Sequence, residues 1–247
     1  MKQKILLNIQ IPIPTLEQAY SLFLQNISWI DWYEGNSRPY FLKSLQQMGK
    51  PLINQMIDER GLLKTNKNKY IEKFQQPFEK ELYHPERYER IINEILSYTN
   101  IFNKIYEKFK LMNLSWGFYI FPEYTIDLNM YVGNGIYNAN NGHILIGIKG
   151  GGVQVNLATI KLIMHEMIHL GIENILIRDK SGKLLLKQEE KERIVDNLCQ
   201  YVGKDIFDKK LLQFQPITEK CSYIDEFVVG QPQKNLVKEI QKFLKTK

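Results

Sequence analysis

The sequence predicts an α+β protein: a largely helical N-terminal half, then a small sheet, an apolar helix and further C-terminal helices. Three observations predict it. Apolar residues recur at helical spacing through much of the first 112 positions. After Asn113 the texture changes to short aromatic and β-branched segments separated by Asn and Gly. A glycine run, Gly150-Gly151-Gly152, then opens onto an almost wholly apolar stretch at residues 157–170. We therefore divide the chain into residues 1–112 and 113–247, as two packed units or one continuous body. At 247 residues and 44% hydrophobic, it has ample material for a core.

Taken in order, residues 16–25 place Leu16, Ala19, Tyr20, Phe23 and Leu24 on one helical face. Further helices are expected at residues 37–48, 51–60 and 67–83. Pro85 suits a first helical turn, and Tyr88, Ile91, Ile92, Ile95, Leu96 and Thr99 continue one face. That helix should run towards Met112 with a break near Asn100, leaving His84 as a turn residue. Residues 116–121, 126–132 and 143–148 read as strands, and 133–142 as a turn-rich connection. Asn156 is a good N-cap for the apolar helix, and Gly171 offers its end. Residues 233–245 form an amphipathic helix that either packs on the body or covers a cleft as a lid.

The charge pattern narrows the partners. Net charge is +6, but the basic residues are dispersed rather than gathered on one face, so nucleic acid is not the expected partner. No apolar segment is long enough to span a membrane, and the early stretch at residues 5–13 is a poor secretory signal. Cys199 and Cys221 are the only cysteines, which suits a reducing compartment, and a cytoplasmic location is expected.

Within residues 157–170 only Thr159, Lys161 and the set His165, Glu166 and His169 are not apolar. A helix apolar on nearly all sides is normally buried, and burying a carboxylate beside two imidazoles is costly without compensation. A divalent metal provides it. His165 and His169, four apart, project from one face and suit tetrahedral zinc. Glu166 can then reach water in an open coordination position without itself binding the metal. The plain alternative is a pair of core histidines with a nearby glutamate.

A third ligand must come from downstream, where there is no further histidine; position 175 is Ile175. The acidic helix at residues 189–199 supplies candidates. Glu192 is the expected ligand and Glu189 the second candidate, with Asp196 expected to accept a hydrogen bond from a ligand histidine. A solvated charged helix is the bland reading of the same segment.

His165-Glu166-Met167-Ile168-His169 followed by Glu192-Arg193-Ile194-Val195-Asp196 resembles the paired helices of gluzincin metallopeptidases, thermolysin-like enzymes and minigluzincins among them. The resemblance covers residues 116–201. It implies zinc held by His165, His169 and Glu192, with Glu166 as general base and Asp196 as the acceptor behind a ligand. It also implies a zincin-like fold, with a small mixed twisted sheet whose edge strand, His143, Ile144, Leu145 and Ile146, lines the cleft and pairs with an extended substrate. Such enzymes also carry a group that stabilises the oxyanion. Tyr201 and Tyr223 are the candidates, although no motif marks them.

The leading expectation is thus a cytoplasmic zinc metallopeptidase acting on peptides or proteins. Two others stand beside it: a zinc protein without catalysis, and a secreted effector protease with one narrow target.

Overall fold

The computed structural model describes residues 6–28, 68–130, 135–148, 155–173, 176, 185–228 and 236–245. The helices expected over 37–48 and 51–60 lie outside the described residues. The first half closes on aromatic rings. Helix α1 (Leu16–Ser28) brings Tyr20 and Phe23 onto Phe78 of α2 (Asn68–Glu81), with ring centroids 5.1 and 5.0 Å apart. Helix α3 (Pro85–Ser97) begins at the proline, after an extended His84. It buries Tyr88, Ile91 and Ile95. The expected break falls at Tyr98 rather than Asn100, and α4 (Thr99–Trp116) follows at once.

Helix α4 corrects the first strand expected. Phe102, Ile105, Phe109, Met112 and Trp116 are all buried, so the helical repeat runs on through Trp116. Gly117 then adopts φ 75°, a left-handed conformation natural to glycine, and its N–H bonds the Met112 carbonyl to close the helix. Residues 117–123 belong to no strand. The β-propensity of this aromatic stretch is overridden by the helical face and its glycine cap. The boundary expected between residues 112 and 113 falls inside α4, and one core cluster runs through both halves.

The sheet has four strands in the order β1-β2-β4-β3, with β1 (Ile9–Gln10), β2 (Tyr124–Asn129), β3 (Gly135–Asn138) and β4 (His143–Gly147). β1 and β4 run parallel to β2, while β3 is antiparallel to β4. The sheet is therefore mixed, as expected. Two strands were not foreseen. β1 is two residues long and stops before Pro12 and Pro14. β3 lies within the stretch read as turn, because its flanking Asn and Gly residues mask it. The turn itself is residues 139–142, where Gly142 takes φ 71°.

Helix α5 (Leu157–Glu173) is the buried centre, packed on β3, β4 and α6 (Gln188–Gly203). Asn156 caps it: its side-chain oxygen accepts the N–H groups of Ala158 and Thr159 at 2.9 and 3.3 Å. Gly171 does not end it. An added Cβ there would stand 2.0 Å from the Phe118 ring, so the glycine serves a close approach between helix and ring. A 3-10 segment (Pro216–Ile224), α7 (Asp225–Val228) and α8 (Leu236–Lys245) complete the described chain. Phe243 of α8 stacks on Tyr223 at 5.8 Å and meets Phe227, so α8 packs on the body. Among the described residues no helix is long and apolar enough to cross a membrane.

Candidate metal centre

Helices α5 and α6 pack against each other, and their contact brings together three atoms that could hold a metal ion. His169 Nε2 lies 3.1 Å from His165 Nε2 and 3.2 Å from Glu192 Oε2. The His165 Nε2 to Glu192 Oε2 separation is 3.5 Å. Both imidazoles are buried, 6% and 3% exposed.

Protons cannot satisfy all three contacts. One N–H shared by His169 with both neighbours leaves a bare nitrogen facing a carboxylate oxygen; a second N–H sets two donors against each other. A cation at the centre satisfies all three at once. Zinc with nitrogen and oxygen ligands at about 2.0–2.1 Å in a tetrahedron holds its ligand atoms about 3.3 Å apart. The separations here bracket that value, so the donor set fits the ion.

The surrounding charges agree with three coupled groups. Burial pushes the Glu192 carboxyl upward, but bonds from His165 and His169 outweigh it and hold the group well below the usual carboxylate range. Burial keeps His169 below the ordinary imidazole value despite Glu192. At His165 burial acts the same way, yet Cys199 and then Glu192 overcome it and raise the ring. Glu166, 5% exposed, is pushed up to about 7, first by burial.

Glu189 takes no part. Its carboxylate accepts a bond from the exposed Lys220 at 3.0 Å. Of the two candidates, Glu192 alone converges on the histidines.

Asp196 requires a correction. It accepts bonds from the Gln215 backbone N–H at 3.0 Å, the Gln215 side-chain amide at 3.3 Å and the Thr218 hydroxyl at 2.8 Å, and from neither histidine. The place behind His165 Nδ1 belongs to Cys199, whose Sγ lies 3.5 Å away. Helix geometry explains the exchange. Seven residues are nearly two full turns, so Cys199 shares the face of Glu192, while Asp196 is rotated towards the 3-10 segment. Gln215 links Asp196 to the cluster, since its side-chain amide also donates to Glu192 at 3.4 Å.

A cleft of about 600 Å³ opens over His165, His169, Glu192 and Glu166. β3 forms one wall with Gly135, Ile136 and Tyr137, and α5 contributes Lys161 and Leu162. Gln188 reaches Glu192 Oε1 at 2.6 Å. Tyr137 stacks its ring on His169, with centroids 4.9 Å apart and planes 14° apart. Its hydroxyl donates to Glu173 at 2.9 Å and accepts from Lys191 at 2.7 Å. Burial and then Glu173 raise that phenol well above its ordinary value.

The strand at the cleft is therefore β3, the outer strand, rather than the one expected. His143, Ile144, Leu145 and Ile146 lie in β4, between β2 and β3, and His143 Nδ1 stands 3.5 Å from Asp127. Neither oxyanion candidate is in the cleft. Tyr201 packs on Trp116 and lines a separate depression, and Tyr223 donates to Glu190 at 2.9 Å. Cys199 and Gln188 were within reach of sequence reasoning, at helical spacing from Glu192. Gly135 and Tyr137 carried no such signal.

Comparison with protein-family models, with curated proteins and with solved structures gives no match.

Proposed function

We propose that this chain is a zinc-dependent hydrolase that cleaves peptide bonds, with His165, His169 and Glu192 holding the metal and Glu166 as general base. The observation that supports it most is the trio of ligand-atom separations, 3.1, 3.2 and 3.5 Å, which protons alone leave unsatisfied. When bound, zinc supplies a Lewis acid that makes water more acidic and polarises a carbonyl.

The chain's own residues do the rest. Glu166 takes the proton from attacking water and returns it to the departing amine. β3 borders the cleft with one edge paired to β4; among the described residues no strand pairs with its other edge, where an extended peptide would find backbone donors and acceptors. The gluzincin resemblance agrees with the ligand set. It differs at Asp196 and in the strand lining the cleft.

A second reading, zinc binding without catalysis, is favoured by one observation: Tyr201 and Tyr223 both lie away from the cleft. One experiment separates the two. The protein is loaded with zinc and assayed against mixed peptides, with and without a chelator, beside Glu166→Gln. The hydrolase reading expects chelator-sensitive cleavage that Glu166→Gln abolishes while retaining zinc. Tight zinc with no cleavage leaves the second reading, and refusal of zinc at neutral pH removes both.

A further inference from the structure

β3 presents alternate residues to α5, Gly135 towards Glu166 and Tyr137 towards His169. At Gly135 the approach is extreme. A Cβ built there would lie 2.2 Å from Glu166 Oε1 and 2.6 Å from both its Cδ and its Cγ. All three nearest atoms belong to that one side chain. The backbone itself does not demand glycine: among the described residues, positive φ occurs at Gly117 and Gly142, not here. Gly135 opens β3, and the close approach of the Glu166 side chain is a physical reason for a glycine there.

We propose that Gly135 is the positioning residue for Glu166: the missing side chain on β3 leaves the space in which the carboxylate lies. The proposal concerns placement, and its consequence for turnover rests on the reading of Glu166 as general base. A side chain at position 135 would collide with Glu166 from Cγ outward and drive the carboxylate out of that space, while none of the three nearest atoms belongs to His165, His169 or Glu192. The strand would thus fix where the proton acceptor stands relative to the ligands.

The test is a double-substitution cycle read in two ways. Thermal midpoints are measured for the unaltered chain, Gly135→Ala, Glu166→Ala and the pair. Gly135→Ala is expected to lower the midpoint when Glu166 is present, and to leave it unchanged or raise it in the Glu166→Ala background, where alanine suits a strand better than glycine. In the zinc-loaded protein, kcat of Gly135→Ala is expected to fall about a hundredfold, as for a reacting group displaced by about an ångström. KM and zinc affinity should hold within about twofold, as they do when an interaction made only in the transition state is lost. Equal midpoint changes in both backgrounds overturn the proposal, as does failure of Gly135→Ala to fold in both, since the backbone would then be what requires glycine. Folding only in the Glu166→Ala background supports it. A native chain that binds zinc and cleaves nothing defeats the hydrolase reading alone; the melting cycle still decides the placement.

Discussion

Glu192→Ala, set beside Glu189→Ala, tests the metal centre at its weakest sequence inference. Glu192 Oε2 lies 3.2 Å from His169 Nε2 and 3.5 Å from His165 Nε2, and its side chain is 17% exposed. Glu189 faces Lys220 on the surface. A four-ligand structural zinc site is worth about 10–16 kcal/mol at neutral pH, or about 3 kcal/mol per ligand, so losing one weakens affinity on the order of a hundredfold. Glu189→Ala should leave affinity within about twofold, since an exposed pair contributes little. The assay is zinc competition against a chromophoric chelator, followed by melting at fixed free zinc. At 100 times the native Kd the metal adds about 2.7 kcal/mol, or about 5–10 °C for a chain of this size. Glu192→Ala should forfeit most of that shift at the same zinc concentration. The reasoning is refuted if Glu189→Ala loses the zinc and Glu192→Ala keeps it. Equal retention by both would mean that Glu192 is no ligand.

Two further outcomes concern the frame around the site. Gly171→Ala would set a Cβ 2.0 Å from the Phe118 ring, which is fully buried with its centroid 4.8 Å from that of Phe109. Overpacking of this kind costs about 1–3 kcal/mol, read as a fall of about 2–12 °C in Tm; an unchanged Tm would show that the ring swings aside. Asp225→Asn leaves the Arg193 guanidinium, 5% exposed and 3.5 Å over the Phe214 ring, without its carboxylate. Breaking such a pair costs about 3–5 kcal/mol when fully buried, and about 2–3 kcal/mol here because the carboxylate is 26% exposed. Against the upward push of burial, Arg193 and Asn197 hold the Asp225 carboxyl below its usual range. Its contribution is therefore complete above the unfolded value of about 4 and is lost as pH falls through the lower native value. Urea midpoints of native and variant protein should differ most at pH 6 and converge at low pH; a gap independent of pH would count against the pair.

The helical frame was legible wherever one face stays buried for several turns. Tyr88, Ile91 and Ile95 mark α3 by spacing alone, and Asn156 marks the start of α5. Legibility failed where a residue has two physical uses. Gly171 read as a helix end because glycine commonly ends helices, yet it stays helical to admit the Phe118 ring. Trp116 read as strand because aromatic residues favour strands, yet it continues the buried face of α4 until Gly117 turns left-handed. β3 was hidden because four residues between asparagines and glycines carry too little pattern to declare a strand.

What the sequence by itself determined is local. A four-residue interval on a helix puts His165 and His169 on one face with Glu166 beside them, because helical periodicity acts within a single turn. It also pointed to the acids of α6 as candidates for a third ligand. Choosing Glu192 over Glu189, turning Asp196 towards Gln215 and Thr218, and bringing Cys199 behind His165 all depended on how α6 rolls against α5. Setting β3 rather than β4 at the cleft depended on strand order. Those choices belong to the tertiary structure, because contacts between elements are fixed by packing across large sequence separations that no local spacing encodes.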